Sequence, residues 1–470
     1  MNLKKILQFS IGPIGAAALS LITLPFVAWF FTVEDVGRLT MLQVVLSLAV
    51  SLFSLAMHQA YVREYHEEDD KQALFKVSVI PGLAVLLLVS VITIALPFSI
   101  SMLLFEIDST LLSFMLFIGI FASFFINFLA HVVRMQERGL VFSATKITPK
   151  LFLLIFIGLI MLLNLKAEFK TLMIMNTLAV LSSLMMFLWL TRDTWLPALK
   201  KNVSIVLLIK MLKFSLPLVA GGIAYWGLTT MDRFFLRSLS GFDELGIYAV
   251  AVALAGAVSV VSSIFSNIWH PILYKWAKEG IAQKKVQCVI DNMIIFVALI
   301  WSLAGVFSFI VPWFLPKEYQ AIEYLIVACV AMPLFYLLSE TTGVGIGITR
   351  RSKYSMFASI SAFLVNALLN YLLIPDYGAT GAALATVLAF FVFFIVKTEF
   401  SARLWCAIPR IKMYILILSY VIGTLVMVLS KANLGHFYLM WVFLFVFTCL
   451  LYRSRVSENV NILKFFLEKR

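Results

Sequence analysis

Residues 210–275 read KMLKFSLPLVAGGIAYWGLTTMDRFFLRSLSGFDELGIYAVAVALAGAVSVVSSIFSNIWHPILYK. They restart a pattern already present near the N-terminus. KILQFS at 5–10 returns as KMLKFS at 210–215, an offset of 205, and EDVG at 34–37 returns as DELG at 243–246, an offset of 209. Ser47, Ser51, Phe53, Ser54 and His58 return as Ser259, Ser263, Phe265, Ser266 and His270, all offset by 212. Two short insertions account for the drift. An internal duplication in an apolar chain is the sequence mark of a transporter built from two similar halves.

Working outward, the composition supports a membrane setting. The chain of 470 residues is 62% hydrophobic and 13% charged, where soluble domains are about 45–50% apolar. Its mean hydropathy is +1.01. Apolar runs of about 20 residues recur throughout, each long enough to cross a hydrocarbon core of about 30 Å. The expected fold is an all-α polytopic membrane protein. Barrel strands alternate over about ten residues, and these runs do not. Fourteen spans are expected near 10–31, 39–62, 77–99, 111–133, 145–164, 171–191, 211–231, 246–271, 289–313, 322–348, 354–374, 379–396, 413–430 and 436–452. The first resembles a signal peptide, with Lys4 and Lys5 ahead of it, but its apolar run to Phe31 is too long and reads as a retained helix.

Placing the N-terminus in the cytoplasm puts thirty of the 37 Lys and Arg residues on the cytoplasmic side. That asymmetry orients the chain with both termini cytoplasmic. It also explains the net charge of +13 without nucleic-acid binding. The repeat restarts after six spans, an even number, so the halves share one orientation. The expected domains are a six-helix bundle in 1–200, a second in 201–405, and two additional helices with a cytoplasmic tail in 406–470. Glu67–Asp70 (EEDD) reads as a solvated charge run. Cys288, Cys329, Cys406 and Cys449 have no paired spacing, so neither a disulfide framework nor a metal site is implied.

Gln43, Ser47, Ser51, Ser54 and His58 recur at spacings of 4, 4, 3 and 4, which puts them on one helical face. Ser259, Ser263, Ser266 and His270 repeat the stripe. One such stripe reads as close helix packing. Two at equivalent positions of two repeats read as the lining of one polar cavity. Glu340 lies inside span 10, where an ionised carboxylate needs a cavity, a proton or a partner. It is an ion-coupling candidate, and Gly343, Gly345 and Gly347 weaken the helix after it. Asn366 and Asn370 sit four apart in span 11 and suit hydrogen bonding between helices or recognition of sugar hydroxyls. Lys146 and Lys150 open span 5 at the same spacing, as interface anchors or as an entry for an anionic headgroup.

At the end of span 7, Asp232 is a second ion-coupling candidate. Arg233 and Arg237 share a helix face and repel unless offset. Asp243 or Glu244 is one possible partner, and a substrate diphosphate is the other, well matched by guanidinium forks. No Walker loop, HExxH or nucleophile elbow occurs, so no catalytic residue, cofactor or metal ligand is assigned and no enzyme is expected.

DRFFLRSLSGFDELGIY at 232–248 and TRRSKYSMFASISAFLVNALLNYLLIPDYGATGAALAT at 349–386 carry, in order, D-R-x-x-L, E-L-G-x-Y, N-x-x-x-N, I-P-x-Y-G and G-A-A-x-A-T. This series resembles the polysaccharide-transport family, in the superfamily of multidrug and toxin extrusion antiporters and the lipid II flippase. The resemblance covers about residues 5–400, more loosely in the first half. It implies two six-helix bundles with alternating access around a positively charged cavity. It also implies an undecaprenyl-diphosphate-linked oligosaccharide, such as an O-antigen repeat unit, as substrate, moved across a bacterial inner membrane. Membrane lipids, a polysaccharide polymerase and chain-length proteins are the implied partners. Energy is expected from an ion gradient or from product consumption. A cation-coupled multidrug exporter and a non-transporting scaffold of envelope assembly are the alternatives.

Overall fold

The computed structural model describes residues 3–95, 99–164, 166–280, 282–430 and 435–458. All regular structure among them is helical. The helices of the first half are α1 (Leu3–Phe30), α2 (Val33–Phe53), α3 (Met57–Glu64), α4 (Lys71–Ala95), α5 (Ile100–Phe105), α6 (Thr110–Met135), α7 (Gly139–Leu162), α8 (Phe169–Leu190) and α9 (Arg192–Leu199). They are followed by α10 (Ile205–Leu239), α11 (Phe242–Lys278), α12 (Ala282–Phe307), α13 (Ile322–Thr342), α14 (Val344–Ile348), α15 (Lys353–Leu404), α16 (Ile411–Ser430) and α17 (Gly435–Leu451). Hydroxyl side chains start several of them. Thr32 caps α2 by accepting from the Asp35 N–H, and Ser99, Ser109 and Ser204 cap α5, α6 and α10 in the same way. Each side chain satisfies one backbone donor that the first turn leaves open.

The structure is that of a polytopic helical membrane protein. Eleven helices have the length and apolarity to cross a bilayer, with shorter apolar helices at Ile14–Phe30 and Phe437–Leu451. Fourteen spans are expected from hydropathy, and the difference lies at the two ends of the chain and in α15. That helix runs through both expected spans 11 and 12, with Gly378 between them at φ 53°, ψ −130°. Only a residue without a Cβ adopts this backbone without cost. The expected span 39–62 is also not one helix. Leu55 and Ala56 have φ of 47° and 52°, so the chain breaks between α2 and α3 and displaces His58 from the helical face of Ser47 and Ser51.

The chain forms two compact units, Met1–Ala249 and Val250–Arg470. In the N-terminal unit, α1 and α7 pack closely because Gly12 and Gly15 face Ser143 and Ile147, where a Cβ would meet side-chain or backbone atoms within 3 Å. The acidic run is partly paired, since Lys210 holds Glu64 and lies 3.5 Å from Glu67, and Lys201 lies 2.7 Å from Asp70. In the C-terminal unit, α16 and α17 pack on α12 and α13. Tyr420 bonds Ser302 at 3.1 Å and Thr448 at 3.2 Å, and the Trp441 ring lies where Gly305 has no side chain.

The duplicated motif makes one reciprocal contact. A Cβ on Gly37 would lie 2.1 Å from the Phe242 carbonyl oxygen, and one on Gly246 would lie 2.2 Å from that of Val33. Val33 and Gly37 correspond to Phe242 and Gly246 at the offset of 209. The two copies of the motif therefore meet across a local two-fold, with glycine admitting the opposing backbone on each side.

Candidate functional site

Polar side chains gather in two places among apolar helices. In the C-terminal unit, Glu340 on α13 accepts from Lys397 on α15 at 2.5 Å and lies 3.1 Å from Nε2 of His270 on α11. Lys397 and Glu340 are 9% and 12% exposed, a depth at which either charge alone is costly and the pair offsets most of that cost. Two features place the lysine. A Cβ on Gly343 would meet its stem at 2.8 Å, so glycine leaves room for it, and the Phe393 ring lies 5.2 Å from its ammonium. Gly345 plays a similar part, its N–H donating to the Ser401 hydroxyl at 2.8 Å. The helix weakness read at these glycines falls at the α13–α14 break, where the missing Cβ atoms leave room for Lys397 and Ser401 of α15. A cavity of about 460 Å³ opens beside the triad, and Tyr274 and Arg350 also line it.

The N-terminal unit has a counterpart of different chemistry. His58 on α3 stacks on His131 of α6, ring centroids 4.8 Å apart at 28°. The charged groups acting on His131 are His58, Arg134 and Lys146, all basic. Nδ1 of both imidazoles, Nδ2 of Asn127 one turn before His131, and the Ser54 hydroxyl are buried without hydrogen-bond partners. Every one of these groups can donate. Lys146 is exposed, whereas Lys150 turns inward to the Ala16 carbonyl at 3.1 Å and the Ser20 hydroxyl. The two lysines read as one feature in the sequence thus separate into an exposed cation near His131 and a helix-packing contact.

The serine stripes differ residue by residue. Ser47 accepts from the Trp226 indole N–H at 3.0 Å. Ser263 is exposed and donates to the Ser259 carbonyl at 3.0 Å, while the Ser266 hydroxyl is buried without a partner. Ser51 is half-buried.

At the end of α10, Asp232 is buried and accepts from the Tyr248 hydroxyl. Arg237 is offset by Glu106 at 3.5 Å and by the Leu103 carbonyl. Its partner therefore comes from α5 and the turn after it, whereas the sequence offers Asp243, Glu244 or a substrate diphosphate. The Arg233 guanidinium donates to the Thr229 carbonyl at 3.5 Å, and its charge also acts on the adjacent Asp232 carboxylate. Asn366 and Asn370 bond each other along their own helix at 2.9 Å, in fully buried surroundings.

Sequence reading missed Lys397 and His131. Both fall at the ends of expected spans, where a basic residue reads as an orientation signal. Only the continuation of α15 to Leu404 shows that Lys397 is interior.

A profile described as "Polysaccharide biosynthesis protein" matches residues 3–276, more than half of the chain. The chain belongs to this family. A curated relative, the probable low-salt glycan biosynthesis flippase Agl15 of Haloferax volcanii, is 23% identical over 219 residues, 43% of this chain and 45% of the relative. The matched stretch is thus about half the length of that protein. Among solved structures, the lipid II flippase MurJ in an inward closed conformation superposes with a TM-score of 0.65 at 17% identity, covering 96% of this chain and 99% of that one. The MATE multidrug transporter DinF-BH gives 0.54 at 16% identity, covering 84% and 94%. This member of the family therefore has the fold shared by these transporters, along nearly its full length in the first case. The family match ends at residue 276, close to His270, so the Glu340–Lys397 pair lies outside it.

Proposed function

We propose that the chain is a flippase for a lipid-linked glycan. The observation that carries this reading is the basic, donor-rich centre of His58, His131, Lys146 and Arg134 in a member of the polysaccharide biosynthesis family. A lipid-linked glycan presents a diphosphate with many acceptor oxygens, and such a group complements donors that otherwise lack partners. An exporter of cationic drugs calls for carboxylates at that position instead. The substrate proposed in finer detail is an undecaprenyl-diphosphate-linked oligosaccharide such as an O-antigen unit. It moves by alternating access of the two repeats across a bacterial inner membrane, with both termini cytoplasmic. A polymerase and chain-length proteins are the proposed downstream partners. Arg233 and Arg237, Lys146 and Lys150, Asn366 and Asn370, and the serine stripes are proposed to contact the substrate, and Glu340 and Asp232 to couple ions.

The test is complementation of a host lacking its own glycan flippase. Expression should restore surface glycan and clear lipid-linked oligosaccharide from the inner leaflet, and Arg233→Ala should abolish export while the protein still inserts. Unaltered drug sensitivity with restored glycan supports the flippase, whereas raised drug resistance without glycan export refutes it. Reporter fusions after Asp108 and Lys317 should both read as periplasmic.

A further inference from the structure

We infer that the His58–His131 pair is a phosphate seat that takes up a proton as it fills. This rests on the flippase reading and adds the chemistry of loading. The pair is stacked at 4.8 Å, a separation at which two imidazolium charges repel strongly in a membrane interior. Arg134 and Lys146 add positive charge to the same place. Among the described residues, no element packed on α3 or α6 brings an unpaired acid to the pair: α4 carries only Lys71 and Lys76, and Asp232, the acid of α10, accepts from the Tyr248 hydroxyl. The charged residues of α2 (Glu34, Asp35 and Arg38) and of α8 (Lys170) lie in the first two turns of those helices, at the far ends from His131. On α7, Lys146 is basic and Lys150 is tied to α1. The α3 carboxylate, Glu64, is paired with Lys210 and lies 3.8 Å from Arg63. The pair alone therefore cannot hold two imidazolium charges.

A phosphate group changes this balance. Its oxygens accept from the two buried Nδ1 atoms and from Asn127 Nδ2, one turn before His131, which have no partner among the described residues. Its negative charge offsets the repulsion, so one proton from solvent adds to an imidazole nitrogen as the anion binds. By linkage, the anion then binds more tightly as pH falls. His270, the repeat equivalent of His58, instead lies 3.1 Å from Glu340, which Lys397 also pairs, so a carboxylate stands where the N-terminal unit has a second imidazole.

The experiment uses the full chain in lipid nanodiscs and farnesyl-diphosphate-linked N-acetylglucosamine, a diester whose phosphates do not titrate near neutral pH. Calorimetry at a series of pH values, in buffers of different ionisation enthalpy, measures affinity and protons taken up. The expected result is uptake approaching one proton per ligand, with affinity rising about tenfold for each pH unit lowered across the responsive interval. His58→Gln and His131→Gln should each flatten the profile. Lys146→Ala should weaken binding at every pH and keep the slope. Binding without proton uptake by the unaltered chain overturns the inference even if a variant fails to fold, and so does an unchanged slope in both histidine variants. Export restored by the double histidine variant with its pH dependence intact would refute the seat and leave the flippase standing. Proton-linked binding by a chain that never restores export would do the reverse.

Discussion

The two repeats hold the same kind of residue in the same place and use it differently. His58 and His270 are equivalent at an offset of 212, and their contacts, His131 and Glu340, are related by 209. Both histidines meet the fourth long helix of their own half. In the C-terminal unit the contact is an acid, and Lys397 completes a balanced triad. In the N-terminal unit it is a second imidazole with basic neighbours. A duplicated scaffold supplies two equal positions, and one substitution on the fourth helix decides whether the position is internally neutralised or left for an anion. The C-terminal centre should therefore dominate stability, and the N-terminal centre should dominate binding.

The sharpest way to break this contrast is Glu340→Gln. It strands Lys397 at 9% exposure, and removing one partner of a buried pair costs about 3–5 kcal/mol. Thermal unfolding in detergent should show a large drop, and a Glu340→Gln, Lys397→Gln double variant should recover much of it. If the single variant melts like the parent, the triad is not a stabilising pair. Next come Gly37→Ala and Gly246→Ala, at the contact where the repeats remain alike. Each methyl would sit about 2 Å from a carbonyl oxygen, and overpacking of this kind costs about 1–3 kcal/mol. The two losses should match within error, whereas unequal losses would show that the local two-fold is only apparent.

Smaller effects belong to exposed charges. Asp70 has its carboxyl held below the usual range, first by its hydrogen bond to Lys201 and then by the Ala73 N–H. A lowered folded-state pKa means that this contribution is present above the ordinary carboxylate value and is lost as pH falls through the folded value. In the acid limb below about pH 4, Asp70→Asn should therefore differ little from the parent, and at neutral pH it should cost under about 1 kcal/mol. Lys146→Ala should change stability least, within about 0.5 kcal/mol, while glycan export falls. Loss of fold together with loss of export would move Lys146 from binding to structure.

Much of the architecture was legible in the residues themselves. Hydropathy specifies apolar helices because a bilayer tolerates few alternatives. The duplication is visible because Ser47 to His58 and Ser259 to His270 keep their spacing. The resemblance carried by 232–248 and 349–386 pointed to the family. Helix periodicity alone, however, assumes a continuous helix. It could not place the break at Leu55 and Ala56, because nothing at those two residues signals a left-handed backbone. Partners distant in sequence were invisible for a similar reason. Lys397 is 57 residues from Glu340, and Glu106 is far from Arg237 in the chain. Charge pairing depends on which helices are neighbours, information that spacing along one helix does not contain.

By itself the sequence determined that this chain is a duplicated, all-helical membrane protein, because apolar length and repeated spacing are local properties of the residues. Tertiary structure alone decided which polar groups are neutralised and which are left open. Whether a buried donor finds an acceptor is set by the packing of helices far apart in the chain, and in the two repeats that packing has brought a carboxylate to one histidine and another histidine to its twin.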